Sequence, residues 1–237
     1  MRAVSSMATR HVLADLTAAA AAATGLPTVE VESLGGVDAA LRVASGEQFD
    51  LVFLAADALD RLAADGHVDA ATLTPLVLSQ VAAAVPSGVD DPATTAVSTA
   101  FADAEAMRAA LRAASRIGYS TGPSGTALVR MIDDWGLTAE VGERLVQARP
   151  GVPVARALAV GEVDLGFQQL SELAGQPGVR ILGVLPDDCA IDTVFAGAVA
   201  ATAGDPVGAA EVLAFLASDA AAPIKTAHHF SADVPRV

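Results

Sequence analysis

"VEVESLGGVDAALRVASGEQFDLVFLAADALDRLAAD" (residues 29–65) passes twice from an apolar run into a helical pattern. "VEVES" (29–33) reads as a strand that leads to a helix near 36–45, and "FDLVFLA" (49–55) reads as a buried strand before a helix near 57–65. A strand that feeds a helix and then a second strand predicts parallel pairing, with helices laid over the sheet. The pattern extends backwards, since "RAVS" (2–5) precedes a helix near 8–24.

The alternation is then interrupted and resumed. "LVLSQVAAAVPSG" (76–88) reads as a long strand-like crossing, and the polar "DDPATTAVSTAF" (90–101) as a loop. A second series follows: a helix near 103–114, the strand "RIGYS" (116–120) and a helix from Ser124 to Trp135. After them come a helix beginning near Val152, the strand "VDLGFQ" (163–168), a short helix over "QLSEL" (169–173), and "VRILGVLP" (179–186). A second apolar crossing, "DTVFAGAVAA" (192–201), leads to two terminal helices at 206–218 and 220–228.

Two crossings that bracket a second α/β series predict two lobes of parallel-type α/β sheet joined by two hinge strands. Lobe I is expected at 1–81 plus 193–237 and lobe II, an insertion, at 82–192, with hinges near 81–86 and 192–197. Open α/β sheets bind ligands outside the carboxyl ends of their strands, so the expected site is a cleft between the lobes.

Composition narrows the functions. The chain of 237 residues is 53% hydrophobic, yet charges interrupt every long run, and Leu16 to Thr24 is too short and alanine-dominated to span a bilayer. No membrane insertion is expected. A net charge of −14 argues against nucleic acid, whose phosphates require clustered Lys and Arg. A small anion remains admissible, because scattered surface carboxylates lie mostly beyond a Debye length of about 8 Å. The single cysteine, Cys189, allows no intrachain disulfide and reads as a small buried hydrophobe. "DDWG" and "PDD" lack a histidine spaced to join them, so neither a metal nor another cofactor is expected. "MRAVSSMATRHVLADL" enters the first strand without a charged and apolar leader. As written this implies the cytoplasm; removal of a signal peptide would place the chain in the periplasm or outside the cell.

Four strand-to-helix junctions share one character. They are "VSSMATR" (4–10), "ESLGGVD" (32–38), "YSTGPSG" (119–125) and "RPGVPVARAL" (149–158). Each leaves first-turn N–H groups without intrahelical partners, at the positive end of the helix dipole. Glycines let a ligand approach the backbone, and hydroxyls add donors. Ser and Thr also cap ordinary helices, so one junction alone reads as a cap. Four together predict an anion site made of neutral donors. Arg10 could clamp a carboxylate, His11 is a candidate general base, and Tyr119 either lines the cleft or packs in the sheet. The patterns of phosphate loops and of the serine nucleophile elbow are missing from "GPSGTAL" and "SSMAT".

These residues resemble the type II periplasmic-binding-protein fold, and within it the molybdate-binding-like solute-binding proteins of ABC transporters. The resemblance is carried by "SS" at the first helix, 35–68, "IGYSTGPSGTAL" (117–128), "VPVARALAVGEVDLGFQQLSEL" (152–173) and "FAGAVAA" (195–201). The subgroup carrying "GFQQLSEL" is also similar to aconitate isomerase, an enzyme built on this fold. The resemblance implies ligand contacts at Ser5 or Ser6, in the Ser33–Gly36 loop with Gly35 and Gly36, and in the 121–125 loop with Thr121, Ser124 and Gly125; Met7 and Ser120 stand beside them as further candidates. It further implies contacts at Val152, Pro153, Gln168 and Gln169. An ABC transporter is the implied partner if the chain is exported. Molybdate binders tend to carry a serine-bearing loop where this chain has "LGG" and a tyrosine where it has Gln169. Amides in place of hydroxyls suit carboxylates at least as well as a compact oxyanion. Two functions stay open: binding of a small anion, and isomerisation of an unsaturated polycarboxylate by a 1,3-proton shift.

Overall fold

The structure is a computed structural model that describes residues 1–88, 98–149, 152–232 and 234. Most of the loop expected at 90–101, and Pro150 and Gly151 of the fourth junction, lie outside the described residues.

The chain opens with β1 (Arg2–Ser6), a 3-10 turn at Met7–Thr9 and α1 (Arg10–Thr24). β2 (Glu30–Leu34), α2 (Gly36–Ala44), β3 (Leu51–Ala55) and α3 (Ala56–Ala64) follow. The 13-residue β4 (Thr74–Pro86) is the first crossing. Next come α4 (Ala104–Ala113), β5 (Ile117–Tyr119), α5 (Pro123–Asp134) and α6 (Thr138–Val141). They are succeeded by β6 (Leu145–Gln147), α7 (Val154–Ala159), β7 (Leu165–Gln169), α8 (Leu170–Leu173) and β8 (Val179–Val184). The return crossing is β9 (Asp192–Val199), followed by α9 (Pro206–Ala217) and α10 (Ala222–Ala227).

Two compact units result: Met1–Ser79 with Thr193–Val237, and Gln80–Asp192. In the first, β1 pairs in parallel with β2 and β3, and β9 runs antiparallel to β3. In the second, β5 pairs in parallel with β6 and β7, while β4 runs antiparallel to β7 and β8. The βα units therefore supply the parallel pairs, and the crossings supply the antiparallel ones.

Alternation along the strands accounts for two cores in each unit. In the first unit, Ala3, Leu51 and Phe53 face Leu13 and Leu16 of α1 and Leu213 of α9, whereas Val4, Val52 and Leu54 face Val43 of α2 and Leu59 of α3. In the second, Ile117 and Phe167 pack with Met107, Leu128 and Ile132, whereas Ala82 and Ala84 pack with Val154 and Leu158. Helices on both faces explain why β3 is continuously apolar.

Some local features depart from the sequence reading. The helix expected near Val152 begins at Val154, and the last helix is a 3-10 turn at Asp219–Ala221 running into α10. α6 and β6, with four and three residues, were not foreseen because neither is long enough to show a period. Among the described residues, no single helix is long and apolar enough to cross a membrane.

An ionic network fixes the β1–β2–α2 corner of the first unit. Arg42 bonds Glu32 and Glu47, each at 2.5 Å, and Arg2 reaches Glu47 at 2.8 Å. Both guanidinium groups lie over the Phe49 ring, at 4.7 and 5.5 Å from its centroid. Hydrogen bonding from Arg42 pulls the Glu47 carboxyl down to about 2. A carboxyl lowered on folding stabilises the native state above its unfolded pKa of about 4.3 and loses that contribution as pH falls toward the folded value. Thermal melts between pH 6 and 2.5 should therefore show stability falling with acid, and Glu47→Gln should flatten the fall. An equally steep decline in the variant would remove Glu47 from this account.

Candidate functional site

The carboxyl edge of the parallel strands gathers the junction residues within each unit. In the first unit, Ser5 and Ser33 lie opposite each other in the β1–β2 register, and their hydroxyl oxygens are 2.8 Å apart. Ser5 is fully buried. Ser6 caps the 3-10 turn, its Oγ accepting from the Ala8 N–H at 3.4 Å. The Ser6 Oγ also faces the start of α2: a Cβ added to Gly36 would lie 3.9 Å from it. Met7 is 42% exposed beside them.

In the second unit, Tyr119 pairs with Phe167 in the β5–β7 register, so Ser120 and Gln168 follow at the same end of the two strands. Ser120 and Ser124, both buried, bring their hydroxyls to 3.0 Å. Gly125 makes this possible: a Cβ there would stand 1.8 Å from the Ser120 carbonyl oxygen, so only glycine lets α5 start this close to β5. Thr121 is exposed, and Tyr119 is half-buried against the unit's core.

Helix starts within the two units are handled in two ways. The N-caps of α2 and α5 are Gly35 and Gly122, with no side-chain capping bond at either; α3, with Ala55 as its N-cap, has none either. By contrast, Asp103 caps α4 and Asp205 caps α9 with their carboxylates. First-turn amides without a side-chain cap, beside paired hydroxyls, suit an anionic guest; α2 also carries Asp38 in its first turn, and α5 opens with Pro123, which has no N–H.

The start of α7 is different. Pro153 is its N-cap, preceded by Val152, and the Val154 N–H donates to Gln168 Oε1 at 2.7 Å. Gln168 Nε2 in turn donates to Glu172 Oε2 at 2.6 Å. Gln168 thus serves the protein's own backbone. Gln169, equally buried, opens α8. Glu172 was not singled out in the sequence; its only signal is its place four residues after Gln168, across a strand-to-helix turn where neither period holds.

Arg10 lies outside both clusters. It is exposed, its Nε donates to His11 Nε2 at 2.8 Å, and it borders a groove of about 290 Å³ with Thr17, Thr28 and Val31. His228 bonds Asp15 at 2.7 Å on the surface of the first unit. Cys189 is buried with its Sγ 3.7 Å from Met107 Sδ, and burial raises its thiol to about 11, which makes it a poor nucleophile.

Residues 1–231 match the family described as bacterial extracellular solute-binding protein, and the chain belongs to it. An aconitate isomerase from a Pseudomonas species is 32% identical over 181 residues, which cover 76% of this chain and 66% of that protein. The substrate-binding domain assigned to a molybdenum ABC transporter of Clostridium difficile superposes with a TM-score of 0.78 at 12% identity, covering 98% of this chain and 97% of that one. The periplasmic molybdate-binding protein of Azotobacter vinelandii superposes with a TM-score of 0.73 at 18% identity over the full length of both chains. The sulfate-binding protein of Mycobacterium tuberculosis gives 0.69 at 19% identity, covering 97% and 85%. The fold is that of the type II periplasmic binding proteins.

Gly125→Ala tests the close approach at the Ser120 edge. Overpacking against backbone should cost about 1–3 kcal/mol. For a chain of this size, the melting temperature should fall by roughly 2–4 °C per kcal/mol. An unchanged melting temperature would show that α5 shifts freely and that the edge is not fixed.

Proposed function

We propose that this solute-binding protein holds one small carboxylate-bearing anion, with Ser6 and the start of α2 on one unit and Ser120, Ser124 and the start of α5 on the other. The units act as hinged lobes that close on it through the β4 and β9 crossings. The observation that carries this reading is the bare starts of α2 and α5 beside hydroxyls, where α4 and α9 have carboxylate caps of their own. Neutral, preorganised donors bind a charged guest without a competing counter-ion, and a net charge of −14 is compatible with that because the donors are local dipoles. Export and an ABC-transporter partner fit the family; they belong to this reading as proposals.

A second reading has its own support. The relative at 32% identity is an aconitate isomerase, and Gln168 holds the Glu172 carboxylate at the second unit's edge. A 1,3-proton shift needs such a base within hydrogen-bond reach of the carbon acid. The enzyme reading therefore keeps the same ligand class and adds a proton acceptor.

A thermal-shift screen of citrate, cis- and trans-aconitate, sulfate, molybdate and tungstate tests both readings. A true ligand at a hundredfold excess over its Kd should stabilise by about 2.7 kcal/mol. Ser6→Ala and Ser124→Ala should each weaken that binding by about tenfold, the value of one hydrogen bond to a charged group. Interconversion of the aconitates on proton NMR would establish the isomerase. Binding unaltered in both serine variants would reduce the hydroxyls to structural caps.

A further inference from the structure

Arg10 carries a charge that no carboxylate among the described residues neutralises. The chain has 28 acidic residues against 14 Lys and Arg, and Arg2, Arg42, Arg61 and Arg112 each pair with a carboxylate. Arg10 instead spends its Nε hydrogen on the imidazole of His11 at 2.8 Å. Its Nη1 and Nη2 groups, the end-on fork that can hold a carboxylate with two hydrogen bonds, meet no acceptor among the described residues. The groove of about 290 Å³ beside it is formed by α1 and the edge strand β2. Ala14, Ala18 and Ala21 make its helix wall, and Val29 and Val31 its strand wall. From Arg10 to Ala21 that helix wall is roughly 16 Å long, at about 1.5 Å of rise per residue. Thr17, which also lines it, is buried, and its hydroxyl donates to the Leu13 carbonyl at 2.8 Å. Exposed Thr28 is the other polar residue there, and Arg10 brings the charge.

We propose that this groove is a second ligand site, independent of the paired hydroxyls, and that it takes an aliphatic monocarboxylate. The carboxylate sits on the Nη fork of Arg10, and the alkyl tail lies along the alanine wall against Val29 and Val31. The lining selects this class in two ways. The alanines leave an open channel of methyl groups, along which a tail gains roughly fourfold in affinity for each methylene fully withdrawn from water. A single uncompensated cation matches a single carboxylate, whereas a polycarboxylate would set its remaining charges against apolar walls that cannot replace their hydration. Arg10 thus clamps a carboxylate, as the sequence suggests, but outside the serine clusters.

The test is titration of the isotopically labelled full chain with butanoate, hexanoate and octanoate, followed through its backbone amide resonances. Octanoate should shift the amides of Ala14, Ala18 and Val31, and affinity should rise by about twofold or more per added methylene, toward the roughly fourfold of complete burial. 1-Octanol, which has a similar tail and no charge, should bind about tenfold more weakly, the value of one hydrogen bond to a charged group. Arg10→Met keeps an unbranched stem and should weaken octanoate by about the same factor. Ala18→Leu fills the channel and should abolish octanoate binding; if its melting curve shows a damaged fold, Arg10→Met and the chain-length series decide. Shifts at Ser6, Ser124 and Gly125 in place of the groove amides would assign octanoate to the proposed anion site and overturn this one. Affinity independent of chain length, octanol binding as tightly as octanoate, or an Arg10→Met variant that binds like the wild type would each overturn it as well.

Discussion

The first amides of a helix have no partner within the helix, and much of this molecule can be understood from where those partners come from. At the carboxyl ends of β1, β2, β3, β5 and β6, the chain goes on to a helix or a helical turn, and each such start leaves N–H groups to satisfy. The protein answers with its own side chains at the 3-10 turn, through Ser6, and at α7, through Gln168. At α2 and α5 it supplies glycine N-caps and neighbouring hydroxyls instead. Unlike the equally uncapped start of α3, those two lie beside hydroxyl groups.

The rest of the fold serves to hold them. Parallel pairing of β1 with β2 puts Ser5 against Ser33, and the Arg42 network pins the corner from which α2 departs. Parallel pairing of β5 with β7 brings Ser120 and Gln168 to one edge, and Gly125 lets α5 begin directly over Ser120. Helices packed on both faces of each sheet leave the strand ends as the surface where polar groups can collect. A buried hydroxyl pair is tolerated there because each oxygen has a partner.

Much of this was legible in the sequence, for reasons visible in particular residues. "FDLVFLA" announces β3 because a strand covered on both faces is continuously apolar, "VEVES" announces the edge strand β2 by its alternation, and α2 and α3 show a helical period over nine residues each. The Ser120–Ser124 pair could be anticipated from its junction alone. The position of Arg10 could not: α1 starts only after a 3-10 turn, whose tighter winding rotates residues 10 and 11 away from the phase a continuous helix from residue 8 would give them. Gln168 reads as a ligand donor in one dimension, but the β4–β7–β5 arrangement delivers it to the α7 amide. Glu172 was hidden because the period changes between β7 and α8. The resemblance pointed to these junctions, and the hydrogen bonds show which of their groups the protein already engages.

The central claim is that donors from both units serve a single guest. Titration of isotopically labelled protein with citrate, followed through the backbone amide resonances, tests it most directly. The account predicts that amides at Ser6–Ala8, at Gly36–Asp38 and at Ser124–Gly125 shift together along one saturation curve with one Kd. Shifts confined to one unit, or two sets that saturate at different concentrations, would contradict it.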